Sequence, residues 1–408
     1  MTSLSGRRRR VLFFSETVSL AHLARPLVLA QALDPQLYEV QFAAGESFAF
    51  ALAGTGFACH PIESMSPGEF MQRLARGAPL FERSRLERYV AEDLRIIEKN
   101  QPDLIVGDFR VSLAVSARLA GKTYVTISNA HWSPYASHPG FPLPEHISAR
   151  LLGVRLASTL FRKLQPIIFA RHARPLNAVR EKHGLPAVAD LRQVYTDGDH
   201  TWYADIPTLA PTVGLPPTHA YLGPIIWSPE IDPPPWWHEL RCDRPLVYLN
   251  VGSTGQLDVL PVAMQALQEM QLGVMVATAG RKVQLPTGNG AWVADYLPGT
   301  LAAARSALMI CNGGSASVYQ ALDQGCPVIG IPSNMDQYLT MQQVEHAGCG
   351  ISLRSGTVTA AAIRASVARI LGEAVWRARA TAAATEIRQF DARMRFRSLV
   401  SDLLRSGS

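Results

Sequence analysis

The residues best suited to chemistry lie in the segment 309–337. An apolar run over 307–311, which we interpret as a buried strand, stops at an Asn-Gly-Gly-Ser bend, and a helical stretch over 316–324 follows at once. Glycine lets the backbone approach an anion, while the free N–H groups and the dipole at a helix N-terminus favour negative charge. The pattern therefore predicts a phosphate site, and the polar pair Asp336-Gln337 beyond the next strand makes a nucleotide diphosphate the expected ligand.

A histidine and an aspartate follow two apolar runs in the amino-terminal half. His22 lies at the start of a predicted helix after the run 11–14, and Asp108 comes directly after the run 104–107. An imidazole can remove the proton of an attacking hydroxyl, and a carboxylate can hold its other nitrogen. Position alone leaves simpler interpretations open, because His22 could be a polar helix-start residue and Asp108 an N-cap.

The elements that would position these residues alternate between strand and helix patterns. We predict strands at 11–14, 38–43, 56–60, 104–107, 124–127, 246–251, 273–277, 292–295, 307–311, 327–331 and 350–353, and helices at 22–33, 86–99, 111–119, 259–269, 316–324 and 360–404, the last broken near 372. Such alternation predicts doubly wound parallel sheets, which bind ligands at the carboxyl ends of their strands.

A chain of 408 residues exceeds what one hydrophobic core usually organises, so two α/β domains facing across a cleft are expected. We predict a nucleotide-binding domain over 241–385 and an acceptor-binding domain over 1–225, where the acceptor is the second substrate that reacts with the nucleotide ligand. A proline-rich linker over 226–240 is expected to join them. A C-terminal helix over 386–408 is expected to pack back on the first domain.

Composition excludes several classes. The chain is 48% hydrophobic and 18% charged, with a net charge of +6, as expected of an ordinary globular protein. Its five cysteines form no CxxC pair, so neither a disulfide framework nor a zinc site is predicted, and a cytoplasmic location is expected. No uncharged run approaches membrane-spanning length, and no stretch alternates basic and aromatic residues as a nucleic-acid-binding face would.

The stretch 130–170 interrupts the strand–helix rhythm. His131 and Trp132 follow a predicted strand and Phe141 lies in a proline-rich loop, so we predict that all three line the acceptor pocket, although packing explains the first two equally well. The aromatic content favours a flat or apolar small-molecule or lipid acceptor. The apolar and basic segment 151–170 could also be a membrane-surface helix, an interpretation we do not favour.

The segment 309–337 resembles the signature of the UDP-glycosyltransferase superfamily, in particular its bacterial macrolide-type members. The resemblance extends over most of the chain, through Gly252-Ser253, Tyr296-Leu297, His22 and Asp108. It implies a GT-B fold with two Rossmann-like domains. It also implies an inverting, metal-independent transfer of a sugar from a nucleotide donor to a hydroxyl, with no cofactor beyond that nucleotide sugar.

The resemblance also assigns roles to individual residues. His22 would be the catalytic base, and Asp108 would orient it. The remaining roles concern binding of the donor. The residues that would contact its diphosphate are Gly252, Ser253, Thr254, Asn312, Gly313, Gly314, Ser315, Ala316 and Ser317. Its base and ribose would be bound by Tyr296, Leu297 and Gln320, and its sugar hydroxyls by Asp336 and Gln337.

Two positions depart from the family pattern. Asn312 stands where a histidine is usual, and an amide can donate to a phosphate but carries no charge. Gln320 stands where a glutamate often binds the ribose, which raises the prospect of a dTDP-sugar, although we favour a UDP-sugar. A non-catalytic partner protein and a nucleotide-sugar epimerase or hydrolase are the alternatives, and the chain is expected to be a monomer or homodimer.

Overall fold

The computed structural model describes residues 7–240, 243–285 and 290–406, which form two compact units. The first unit comprises Met1–Ser137, Leu164–Ile225 and Asp391–Ser408, and the second comprises His138–Lys163 and Ile226–Phe390. Within the described ranges, no helix is long and apolar enough to cross a membrane.

The first unit is built on a seven-stranded parallel sheet in the order β3-β2-β1-β4-β5-β6-β7. Its strands are β1 Arg9–Ser15, β2 Tyr38–Ala44, β3 Ala58–Pro61, β4 Leu104–Asp108, β5 Tyr124–Ser128, β6 His200–Tyr203 and β7 His219–Tyr221. Its helices include α1 Ala21–Ala30, α2 Pro67–Arg76, α3 Arg83–Asn100 and α4 Leu113–Leu119. The strand order reverses between β1 and β4, so the loops after these two strands begin side by side.

The second unit contains a six-stranded parallel sheet in the order β10-β9-β8-β11-β12-β13. Two helices precede these strands in the chain. Helix α5 Ile147–Leu152 lies in the second unit, whereas α6 Val154–Lys182 begins in it and continues into the first unit, which also contains α7 Leu191–Val194. The strands are β8 Leu246–Asn250, β9 Gly273–Ala277, β10 Ala291–Ala294, β11 Leu308–Cys311, β12 Val328–Gly330 and β13 Gly350–Ser352. Here the order reverses between β8 and β11, where Asn250 pairs with Cys311.

The helices of the second unit cover its sheet through an apolar core. They are α8 Val259–Glu269, α9 Gly299–Ala304, α10 Ser315–Asp323, α11 Met335–His346, α12 Ala360–Gly372 and α13 Ala374–Ile387. Strand residues such as Val247, Leu249 and Ile310 are fully buried against Leu260 and Val367. Burial on both faces explains why the sequences of these strands are continuous apolar runs. The predicted bounds of α8 and β9 are confirmed to the residue.

The C-terminal helix α14 Ala392–Ser406 belongs to the first unit. Phe396 lies with its ring centroid 6.0 Å from that of Phe13 and 5.5 Å from that of Trp202. The Arg395 Nε atom donates to the Tyr221 carbonyl at 2.7 Å. The predicted break near Gly372 in the stretch 360–404 is confirmed, and a second break before Ala392, which was not predicted, divides the stretch into three helices.

The segment 138–163 was expected in the first domain, but the structure places it in the second unit. Its contacts are polar as well as apolar. The Glu145 backbone N–H donates to the Ser333 carbonyl at 3.1 Å, and Arg354 Nη1 donates to the Leu143 carbonyl at 3.1 Å. Arg354 also forms an ion pair with Glu145 at 3.0 Å. These partners are 188 to 211 residues away in sequence, which is why the sequence pattern could not reveal them.

Candidate functional site

The catalytic candidates of the first unit lie at the carboxyl ends of β1 and β4. Asp108 is the last residue of β4 and is completely buried, and His22 lies in the first turn of α1 after the loop that follows β1. The His22 Nδ1 atom is 2.7 Å from Asp108 Oδ1. With Nδ1–H donated to the carboxylate, Nε2 carries the lone pair, which is the tautomer a general base requires. The structure thus brings together the two residues predicted as a base and its orienting acid.

Arg25 is a third member of this cluster that sequence reasoning missed. Its Nε donates to Asp108 Oδ2 at 2.8 Å and its Nη2 to Asp108 Oδ1 at 2.7 Å, a two-pronged contact with both carboxylate oxygens. Its Nη1 donates to Asn129 Oδ1 at 2.8 Å. Since a buried carboxylate needs a partner, this contact with Arg25 compensates the burial of Asp108 and fixes it beside His22. The spacing of Arg25 one turn after His22 on α1 was the available signal.

A second buried ionic cluster holds the same two loops. Arg110, two residues after Asp108, is fully buried and its Nη1 donates to Glu16 Oε2 at 2.9 Å. It also pairs with Asp93 on α3 at 2.9 Å. Glu16, directly after β1, accepts in turn from the Met65 backbone N–H at 2.8 Å. Every member is hydrogen-bonded, so the cluster joins the β1 and β4 loops to α3 and restricts their movement.

An aromatic cluster extends from one face of the His22 ring. The Phe109 ring is stacked on the imidazole with centroids 4.6 Å apart and an interplanar angle of 13°. Phe109 has a φ of 61°, a left-handed backbone that a bulky residue rarely adopts. Tyr195 lies 5.2 Å from Phe109 and 5.1 Å from Trp132, measured between centroids. The predicted acceptor residue Trp132 therefore belongs to the surroundings of His22.

The other two acceptor candidates, His131 and Phe141, make ring contacts of their own. His131 is buried beside Trp132, with ring centroids 5.9 Å apart. Phe141 belongs to the second unit, where its ring makes an edge contact with His138 at 4.7 Å.

The donor candidates lie at the carboxyl edge of the second sheet. Two glycine bends, at 252–255 after β8 and at 312–314 after β11, are adjacent there. Gly252 and Gly313 have φ values of 60° and 76°, which glycine tolerates best. A Cβ on Gly313 would lie 2.6 Å from Met341 Cγ, so a side chain could not be added without displacing α11 residues.

The hydroxyl of Thr254 joins three strand-end loops. Its Oγ1 accepts from Asn312 Nδ2 at 3.2 Å and from Gln337 Nε2 at 3.3 Å. Asn312 Oδ1 accepts from the Gly314 backbone N–H at 3.1 Å. The amide of Asn312 is therefore engaged in holding the two glycine bends together.

Helix α10 begins immediately after the second bend. Gly314 is its N-cap, and no side chain caps the helix. Ser315, Ala316 and Ser317 form the first turn and are partly or fully exposed. A nine-residue helix whose first N–H groups lack a side-chain cap, after a glycine bend, is suited to bind a phosphate.

Arg281 adds a positive charge to this edge, and sequence reasoning missed it. It lies four residues after β9, and its guanidinium donates to the Gly255 carbonyl at 2.7 Å and to the Gly252 carbonyl at 2.6 Å. Its Nε atom is buried and has no hydrogen-bond partner. Burial lowers the pKa of Arg281, yet a guanidinium stays cationic at neutral pH. A fixed cation therefore lies under the first glycine bend.

The base, ribose and sugar candidates occupy the same edge. Tyr296 is partly exposed, and its hydroxyl donates to the Ala279 carbonyl at 3.3 Å. Leu297 is buried, and Gln320 Nε2 donates to the Trp227 carbonyl at 3.3 Å. Gln337 is also buried, with Oε1 accepting from the Ser333 backbone N–H at 2.9 Å, whereas Asp336 beside it is partly exposed.

Comparison with known proteins identifies the family. Residues 262–390 match the family described as Erythromycin biosynthesis protein CIII-like, C-terminal domain. The chain is 47% identical over 373 residues to a PGL/p-HBAD biosynthesis glycosyltransferase of Mycobacterium tuberculosis strain H37Ra, covering 91% of this chain and 87% of that protein. It is 46% identical over 375 residues to a PGL/p-HBAD biosynthesis rhamnosyltransferase of Mycobacterium bovis BCG, covering 92% and 83%.

Solved structures agree on the fold. The spinosyn rhamnosyltransferase SpnG, complexed with thymidine diphosphate, has a TM-score of 0.66 at 20% sequence identity, covering 96% of this chain and 99% of that chain. The predicted GT-B fold of two Rossmann-like domains is confirmed. The chain is a glycosyltransferase, and it belongs to the bacterial macrolide-type members of the UDP-glycosyltransferase superfamily, together with the PGL/p-HBAD biosynthesis glycosyltransferases.

Proposed function

We propose that this glycosyltransferase inverts the anomeric configuration by direct displacement, with His22 as the general base. The proton of an acceptor hydroxyl passes to His22 Nε2 as that oxygen bonds to the anomeric carbon. The bond from that carbon to the diphosphate breaks, and the nucleoside diphosphate leaves. The observation that carries this proposal is the 2.7 Å contact between His22 Nδ1 and the buried Asp108 carboxylate, which leaves Nε2 to act as the base.

The leaving diphosphate would be stabilised by the carboxyl edge of the second sheet. The first turn of α10 offers N–H groups and a helix dipole, and the Ser253 and Ser317 hydroxyls can donate to phosphate oxygens. Arg281 contributes a fixed positive charge beneath the first bend. This charge supports leaving-group stabilisation in a chain where Asn312 replaces the histidine that is usual in the family.

For the donor, we propose a dTDP-sugar over a UDP-sugar, which reverses the preference drawn from the sequence alone. Gln320 offers the ribose only an amide, and that amide already donates to the Trp227 carbonyl. A deoxyribonucleotide carries no 2′-hydroxyl, so a glycosyltransferase that binds one needs no carboxylate to hold that group. One similar protein is named a rhamnosyltransferase, and the SpnG structure contains thymidine diphosphate, which adds support.

For the acceptor, we propose a largely apolar molecule that carries its hydroxyl to His22. Phe109, Tyr195 and Trp132 form a continuous aromatic surface from the imidazole outwards. A cavity of about 20 Å³ behind it, lined by residues including Phe81, Val111 and Tyr195, has room for only a small group. The exposed parts of the aromatic surface are therefore the proposed contact with the acceptor.

The test is acceptor-dependent release of nucleoside diphosphate by the purified full chain. We expect release from a dTDP-sugar with a mixture of apolar hydroxylated acceptors, a matching gain of mass in one acceptor, and slower release from the UDP-sugar. Release without any acceptor would favour the hydrolase alternative. Absence of both release and nucleotide binding would favour the non-catalytic alternative.

A further inference from the structure

The helices α5 and α6 begin with a cluster of exposed apolar side chains. Between residues 147 and 160 six large apolar side chains are exposed: Ile147 63%, Leu151 77%, Leu152 46%, Val154 36%, Leu156 59% and Leu160 44%. No separate stretch of this length among the described residues exposes as many. Contiguous exposed apolar surface of this kind usually marks a binding surface.

The α6 residues in this cluster lie on a face that the protein does not cover. Ala157 and the partly buried Phe161 pack against Leu143 and Ala149 in a small core. Leu156 and Leu160, also four residues apart, lie along a different line of the same helix and are exposed. The start of α6 is therefore apolar on two faces, of which one is covered by its own unit.

The charged residues within this segment of the chain have a single sign. Arg155, Arg162 and Lys163 are exposed beside the apolar residues. From His146 to Arg180 the sequence contains no aspartate or glutamate. Arg155 and Arg162 are seven residues apart and so lie on one side of α6, next to the line of Leu156 and Leu160.

We propose that residues 147–163 bind the surface of an anionic lipid bilayer, with the apolar side chains in the acyl boundary and the basic side chains at the headgroups. A basic rim beside an exposed apolar face is the arrangement of interfacial helices. A second copy of this chain is a poorer occupant, because a two-fold contact would bring the same cations together. The proposal goes beyond the sugar transfer and does not rest on it.

The test is sedimentation of the full chain with vesicles, without donor or acceptor. We expect binding to vesicles of phosphatidylcholine with about 30 mol% phosphatidylglycerol, weaker binding at high salt, and little binding to phosphatidylcholine alone. The variant R155Q/R162Q/K163Q should weaken binding about 100-fold. The variant L151S/L156S/L160S, at side chains that are already exposed, should weaken it at least about 10-fold.

A matched control is R393Q/M394S/R397Q on the exposed side of α14, which removes two cations and one apolar side chain elsewhere. It should bind vesicles like the parent chain. Failure of the parent chain to bind the anionic vesicles, or equal binding by all three variants, would overturn the proposal. So would a dimer in light scattering that the leucine variant abolishes, since a second copy would then occupy the surface.

Discussion

The carboxyl edges of the two sheets carry sites that are built differently. In the first unit the proposed chemistry depends on side chains, since Asp108 binds His22 and Arg25 across 86 and 83 residues of sequence. In the second unit it depends on the backbone, through two glycine bends and the uncapped start of α10. Each candidate site lies at the point of its sheet where the strand order reverses.

This difference predicts different modes of failure. A site made of charged side chains can lose its chemistry when one atom changes while the backbone path stays the same. A site made of backbone N–H groups tolerates changes of side chain but fails when a glycine cannot keep its conformation. The variants below are ordered from the largest expected effect to the smallest, and each tests one side of this contrast.

The largest effect is expected from Asp108→Asn. The amide can no longer hold the imidazolium that forms at His22, so the rate should fall on the order of 10³-fold or more. The same change removes the carboxylate partner of the buried Arg25 cation, which should lower the free energy of unfolding by about 3 kcal/mol. Steady-state kinetics and denaturant unfolding measure the two effects.

The double variant Arg25→Met with Asp108→Asn separates chemistry from stability. Because it removes both buried charges, we expect it to recover part of the lost stability but none of the lost rate. Recovery of the rate would show that Asp108 acts only by supporting the fold.

The next largest effect is expected from Gly313→Ala. The φ of 76° and the 2.6 Å approach of Met341 Cγ force the bend to move, so the affinity for nucleoside diphosphate should fall about 10-fold to 100-fold. The control is Gly325→Ala, which has a φ of 61° at the other end of α10 and should affect stability but not affinity. Isothermal titration with dTDP distinguishes the two variants. Equal affinities of the two variants for dTDP would show that the bend at 312–314 is not part of the donor site.

A smaller effect is expected from Arg281→Gln. Loss of the cation beneath the bend at 252–255 should weaken dTDP binding about 10-fold, because a hydrogen bond to a charged group contributes about 1.5–3 kcal/mol. The affinity for the uncharged nucleoside should stay unchanged. An equal loss for nucleoside and diphosphate would mean that Arg281 only shapes the loop.

The smallest effect is expected from Asn312→His, which restores the residue usual in the family. Since Arg281 already supplies charge and the N–H groups come from the backbone, dTDP affinity should change less than about 10-fold. Titration of this variant beside Arg281→Gln compares the two charges directly. A large gain in affinity would show that the donor site depends on its side chains after all.

The contrast also explains what the sequence could predict. The sequence could predict the glycine bend at 312–314, because the strand, the glycines and the helix start are contiguous over 307–324 and local rules therefore suffice. His22 and Asp108 could be named, but their contact required the fold. Arg25 and Arg281 were missed, because their roles depend on a buried carboxylate and a neighbouring loop that no local pattern encodes. The same holds for the attachment of 138–163 to the second unit through Glu145 and Arg354.

The most direct test of the central claim measures two quantities on one variant, His22→Ala. The account predicts that the transfer rate at saturating donor falls about 10²–10⁴-fold, because the general base is removed. The dissociation constant for dTDP should stay within about twofold of the parent value, because the proposed donor site lies in the second unit. A near-normal rate, or a loss of dTDP affinity that matches the loss of rate, would contradict the account.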